Sequence, residues 1–474
     1  MGRGRQQPFA AGRSLGARAG PLLAGRGPAI EAVFEPASVA VYGASRQPAK
    51  LGHILLRNVL EGGFDGRVLA VNPSREEVLG LRSVPCLQED VDLALVSVPA
   101  PAVGNAVADA ARAGCRAAIV LASGFGETGS AGAAAERELA ATAREAGMRL
   151  VGPNCMGVVS RRGASWLNGS YFWQLPGAAG GVSMVSQSGA FGGMFFAEAR
   201  RSGLGVARFL SVGNSADVTE TDAIEWLAAD PLTAVIGLFA EAFRDGRRFI
   251  DVVSACPKPV VVLKAGKEAA GARAAASHTG SLAGRHGAVR AAFRRAGVVE
   301  ALTADEFFDL LTVLAAGRPA AALHGGLAVL TISGGPGVLA SDAAERLGLV
   351  LPPPSEVTVR RLRELAPAFA ATGNPIDLTP QCPPAAFGPA IAAVFEDPAF
   401  AGVIVINCGL DIPEFGAGVA AARQATGKPV TAFLLEVPQI EAALRETGIP
   451  LLPSPERAVA AYRALADVNR LKPR

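Results

Sequence analysis

Short apolar runs that end on a glycine turn and give way to helical spacing recur along this chain, and they constrain its fold more than any other feature. The run "SVAVYGAS" (38–45) ends in such a turn, and "HILLRNVLEGGF" follows with apolar residues spaced as on a helix. "RVLAVNP", stopped by Pro73, then "DLALVSVPA", "AAIVLASGFGE" and "RLVGPNCMG" continue the series. A strand that is apolar on both faces must be covered on both. Strands of this kind alternating with helices therefore predict a parallel, doubly wound sheet. This first unit spans 31–160.

The pattern restarts twice. "GGVSMVSQSGAFGG" opens a second unit, 175–318, in which "VARFLSVG", "AVIGLFAEAF" and "KPVVVLKAG" supply further strands. "GLAVLTISGGPGVL" opens a third, 324–474, with strands "AGVIVINCG" and "PVTAFLLEV" and a closing helix "SPERAVAAYRALADVNR". The expected fold class is α/β, with three consecutive α/β domains, each carrying a glycine-rich turn at the C-terminal ends of its strands. That is the edge where open α/β sheets bind ligands.

Composition narrows the function. In 474 residues, 50% are hydrophobic and the net charge is only +3, which predicts a globular protein with no nucleic-acid surface. The six cysteines stand singly, without metal-ligand spacing or a disulfide framework, so no metal site is expected and a reducing cytoplasm fits best. No stretch of about 20 residues is apolar enough for a membrane helix. Residues 1–30 are rich in Gly and Arg and lack acids, which predicts a disordered tail or an overextended start; a targeting segment is the alternative.

The candidate chemistry sits in the turns and around one of only four histidines. Gly43-Ala44-Ser45 lets a backbone approach a phosphate at a helix start, although a purely structural turn would use the same residues. A nicotinamide dinucleotide would want an acid at the tip of the next strand, which instead reads Asn72-Pro73-Ser74-Arg75. Ser186-Gln187-Ser188-Gly189 and Ser333-Gly334-Gly335-Pro336-Gly337 would each offer helix-start amides to an anion, or serve tight packing alone. His278, in "AAASHTGSLAGRHG", has space around its imidazole. A histidine attacking phosphorus needs that freedom and a partner to fix its tautomer. Glu241, at the end of the strand "AVIGLFA", is placed as such a partner, with a surface salt bridge as the ordinary alternative. His53, His286 and His324 have no comparable setting.

Taken with their order, "SVAVYGASRQPAKLGHILLRNVLEGGFDGRVLAVNP", "VGPNCMG", "SMVSQSGAFGG", "SHTGSLAG", "SGGPGVLASDAAERLGL" and "NPIDLT" resemble the alpha subunit of NDP-forming acyl-CoA synthetases. That family includes ADP-forming acetyl-CoA synthetase and is related to succinyl-CoA ligase. The resemblance implies a Rossmann-like CoA-binding domain followed by two flavodoxin-like, succinyl-CoA-ligase-type domains. It implies His278 as the phosphorylated residue and Glu241 as its carboxylate partner. Ser186, Gln187, Ser188, Gly189, Gly334, Gly335 and Gly337 would receive the phosphohistidine. CoA, a substrate rather than a prosthetic group, would lie along Gly43, Ala44, Ser45, Asn72, Pro73, Arg75, Val98 and Pro99, with Asn154 at the thioester end. Where the family often has Lys after "NP", this chain has Ser74-Arg75. No ATP-grasp segment is found; the family supplies one as a separate beta subunit or a C-terminal fusion, and the resemblance implies ADP or ATP and magnesium on a partner beta subunit, in a heterotetramer. The alternative is a non-catalytic CoA-binding or regulatory protein of the same architecture.

Overall fold

A computed structural model describes residues 30–172, 174–273, 286–317 and 325–471. The expectations for the N-terminal tail, for His278 with its "SHTGSLAG" segment, and for His324 fall outside the described residues.

The first sheet contains β1 (Ser38–Tyr42), β2 (Arg67–Val71), β5 (Leu93–Val96), β6 (Ala117–Val120) and β7 (Arg149–Val151), in the order β2-β1-β5-β6-β7. A small antiparallel ribbon, β3 (Glu77–Val78) and β4 (Leu81–Arg82), lies between β2 and β5 in sequence. All neighbours in the main sheet are parallel, with Val39 opposite both Val68 and Leu93. The winding therefore reverses at β1, and the crevice of the sheet opens between β1 and β5.

The second sheet comprises β8 (Gly157–Arg162), β9 (Ser165–Ser170), β10 (Ala179–Ser186), β11 (Val206–Ser211), β12 (Val235–Ala240), β13 (Val260–Lys264) and β14 (Val299–Ala301). Its order is β14-β13-β12-β10-β11-β8-β9, parallel throughout except for the hairpin β8–β9, which adds antiparallel at the β11 edge. The third sheet, β16-β15-β17-β18, is built from β15 (Gly326–Thr331), β16 (Ile376–Asp377), β17 (Phe400–Cys408) and β18 (Val430–Leu435), all parallel. Leaving out the hairpins, all three sheets share one winding: the second strand pairs on one side of the first, and the third on the other.

The apolar faces of these strands leave no sheet alone. One core runs from Val39 and Leu95 of the first sheet through Leu167 of β9 to Leu210 and Leu238 of the second. Another joins Phe195, Phe209 and Phe307 of the second unit to Val329, Ile404 and Tyr462 of the third. Among the described residues no helix is long and apolar enough to cross a membrane, and no His/Cys/Asp/Glu group could hold a metal. None of the six cysteines is in a disulfide.

Candidate functional site

At the first switch point a cleft of about 1050 Å³ opens between the end of β1 and the end of β5. Its walls include Gly43, Ser45, Asn72, Pro73, Val98 and Pro99, and also Lys50, Cys86, Ser97 and Tyr171, which no sequence motif pointed to. Gly43 has φ +84°, and a Cβ there would lie 2.4 Å from the Ser97 carbonyl oxygen. The helix Leu51–Glu61 comes equally close, since a Cβ on Gly52 would lie 1.9 Å from the Gly43 carbonyl oxygen. Both glycines are thus required by contact, and a helix N-terminus is brought to the cleft.

Side chains hold this turn from below. Asn72 Nδ2 donates to the Ala44 carbonyl at 2.6 Å, and Asn72 Oδ1 accepts from the Ser74 amide. His53 Nδ1 lies 2.8 Å from the Ser45 carbonyl, which can only accept, so Nδ1 carries the proton. Ala44 is buried beneath the turn. Arg75, in a left-handed conformation, and Asn154 do not line the cleft. Tyr171 and Ser97 close one wall through a 3.1 Å hydrogen bond, and burial pushes the Tyr171 phenol up to about 12.

At the second switch point, between β10 and β12, the turn Ser186–Gly189 faces Glu241. Ser186 Oγ donates to the Ser188 carbonyl and accepts from the Ser188 amide. Ser188 caps the helix Gly189–Ser202 by accepting from the Phe191 amide at 3.3 Å. The Gln187 amide donates to Phe239, so the groups a helix start leaves for an anion are the next amides, Gly189 and Ala190. Gly189 passes beneath Met156, whose Cγ would be 2.3 Å from an added Cβ.

The Gln187 side chain points away from that opening. Its Oε1 accepts from the amides of Glu241 and Ala242 at 2.6 and 3.1 Å, and its Nε2 donates to the Ala242 carbonyl and to Glu220 Oε2. Glu220, at the start of the helix Glu220–Ala229, is 1% exposed, and burial raises its carboxyl above the ordinary glutamate range. From the next strand Lys264 donates to the Glu241 carbonyl at 2.6 Å. Burial lowers the Lys264 ammonium, while the charge of Glu241 acts against that. Sequence reasoning missed Glu220 and Lys264; the only trace of the second was a lysine ending an apolar strand in a chain whose cations are mostly arginine.

The third switch point repeats the second. Thr331 Oγ1 donates to the Ser333 carbonyl and accepts from its amide, as Ser186 does for Ser188. The helix Gly334–Arg346 follows, with Gly334 and Gly335 exposed at its start and Pro336 supplying no N–H. The Cys408 amide donates to Ser333 Oγ across the crevice. A Cβ on Gly334 would lie 3.1 Å from Asp377 Oδ2, so an anion arriving here meets a carboxylate as well as two amides. Gly337 packs over Thr331.

Asn154 stands where the first two units meet. Its amide donates to Ala122, a cleft residue, and its Nδ2 donates to Asn214 Oδ1 at 3.2 Å. Asn214 in turn donates to Glu127 and Glu136, and Arg244 bonds both Glu136 and the Asn214 carbonyl. This polar chain links the side of the first cleft to the loop that follows Glu241.

Three family models match the chain: a CoA binding domain over 37–161, a succinyl-CoA ligase like flavodoxin domain over 179–314, and a Ligase-CoA domain over 327–445. The acetate–CoA ligase [ADP-forming] I of Archaeoglobus fulgidus is 39% identical over 450 residues, 93% of this chain but 64% of that protein. The alpha subunit of acetate–CoA ligase [ADP-forming] II from Pyrococcus furiosus is 35% identical, covering 92% of this chain and 97% of the subunit. Among solved structures, the dinucleotide-forming acetyl-coenzyme A synthetase 1 of Ca. Korarchaeum cryptofilum, in complex with phosphate and ADP, superposes with a TM-score of 0.85 at 34% identity. It covers 94% of this chain and 97% of that one. On this identity, sustained over nearly the whole of an alpha subunit, the chain belongs to the ADP-forming acid–CoA ligase family.

Proposed function

We propose that this chain is the CoA-binding, phosphohistidine-bearing subunit of an ADP-forming acid–CoA ligase. The overall reaction interconverts acyl-CoA, ADP and phosphate with a carboxylic acid, CoA and ATP. The observation that carries the reading is the cleft at the β1/β5 switch point, where a glycine turn, a helix start and Lys50 offer an anion-binding mouth to an extended, phosphate-bearing ligand.

Phosphate oxygen attacks the thioester carbonyl, the C–S bond breaks and CoA leaves as its thiol after taking a proton. The acyl phosphate then meets the His278 imidazole, which attacks phosphorus as the P–O bond to the carboxylate breaks. Glu241 holds the other ring nitrogen in its N–H form and balances the charge that develops. The helix-start amides at Gly189–Ala190 and at Gly334–Gly335 take the phosphoryl oxygens. ADP and magnesium belong to an ATP-grasp partner subunit, in a heterotetramer, and the site of action is the cytoplasm.

The test mixes purified chain, a candidate partner, magnesium and γ-labelled ATP, and reads acid-labile label on this chain. His278→Ala should take up none. Glu241→Gln should label more slowly by about 10- to 100-fold while keeping CoA binding. Equal labelling of His278→Ala overturns the reading.

A further inference from the structure

Glu241 follows the last residue of β12, where a chain normally leaves its ladder and its backbone turns to water. Here all four peptide N–H and C=O groups of Glu241 and Ala242 are held by two side chains, one from the turn after β10 and one from the end of β13. Gln187 accepts from the Glu241 and Ala242 amides and donates to the Ala242 carbonyl at 2.7 Å. Lys264, 7% exposed, donates to the Glu241 carbonyl at 2.6 Å and to the Ala265 carbonyl. The Gln187 carboxamide has one workable orientation, because Oε1 faces two N–H donors and Nε2 faces two acceptors, Ala242 and Glu220.

We propose that Gln187 and Lys264 form a clamp that positions Glu241, fixing the peptide that carries the carboxylate rather than touching the reacting atoms. This rests on the reading of Glu241 as the carboxylate partner of His278. A burial-driven role for Lys264 is hard to sustain physically: placing an ammonium in the interior is costly, and a Met of similar reach would fill the space. What the ammonium adds is a rigid bond to a carbonyl that has left its sheet. What Gln187 adds is a link from the helix-start turn to the same peptide, so that phosphoryl acceptor amides and carboxylate move as one unit.

Two measurements on the full chain test the clamp. Hydrogen exchange on the chain alone reads the amides of Glu241 and Ala242, which Gln187→Ala should deprotect about tenfold relative to neighbouring β12 amides. Unchanged protection there overturns the clamp whatever the enzyme does. With the partner present, Lys264→Met should slow acid-labile labelling by about 10- to 100-fold with CoA affinity within about twofold of the parent. Lys264→Arg, which keeps a donor, should recover part of that loss. In a Glu241→Gln background, Lys264→Met should slow labelling little further, since the group being positioned is already gone. A full additional loss in that background, or labelling of Lys264→Met at the parent rate, overturns the inference. An unlabelled parent chain would count against the phosphohistidine reading, while the exchange result would still decide the clamp.

Discussion

Gly43 and Gly52 meet backbone to backbone, and neither position has room for a methyl group. Gly43→Ala adds the strain of a φ of +84° to a backbone clash with the Ser97 carbonyl just past β5. CoA affinity should fall by at least about tenfold, roughly 1.4 kcal/mol, in a calorimetric titration. Glu220 offers a test of a different kind. Its folded carboxyl titrates above the unfolded one, so the fold is favoured while the group is protonated and loses that advantage as pH rises through the folded value. Glu220→Gln should therefore raise the melting temperature more at pH 8 than at pH 5, read by calorimetry at the two pH values. The glycine turns could be read from sequence because they are local. The Gln187–Glu220–Lys264 contacts could not, because they join residues from 23 to 55 positions apart that only the winding brings together.

At the scale of elements, the strands that announced themselves were those buried on both faces. The hairpin β8–β9, "GVVSRRGASWLNGS", carries Ser, Arg and Asn at an edge, and its polar alternation hid it behind the expected end of the first unit. That hairpin is fastened by Arg208, which is fully buried on β11. Its guanidinium takes both oxygens of Asp230 at 3.1 and 3.2 Å, reaches Ser160 and Arg161 of β8, and pairs with Glu35. It also stands 5.3 Å from the Trp226 ring, which stacks on Phe34. Burial alone would raise the Asp230 carboxyl, but Arg208 and Thr233 hold it below the ordinary aspartate range. Its stabilisation is complete above that range and is lost as pH falls through the folded value. Arg208→Met leaves this carboxylate buried without its cation, and should cost about 3–5 kcal/mol in urea unfolding at pH 7. Replacing both partners should cost less than replacing Arg208 alone.

Across the whole molecule, one winding is used three times, and each use sets a glycine or serine turn and a helix start at the crevice of its sheet. Three modules in series could be inferred from the sequence because each restarts with the same strand, turn and helix. How they lean on one another could not, because the shared cores are assembled from faces whose residues look alike in all three. The closing helix Pro455–Leu471 shows this most clearly. Its Ala458, Tyr462, Leu465 and Val468 complete an apolar core whose other side is Phe307 and Leu311, and Arg457 grips Asp309 through two bonds of 2.7 Å. On the ribosome, the helix bearing Phe307 therefore emerges long before the segment that covers it. The nascent chain must carry a naked phenylalanine-rich surface until that segment has been made, and a stop codon before Ala458 should yield a product that chaperones retain rather than release.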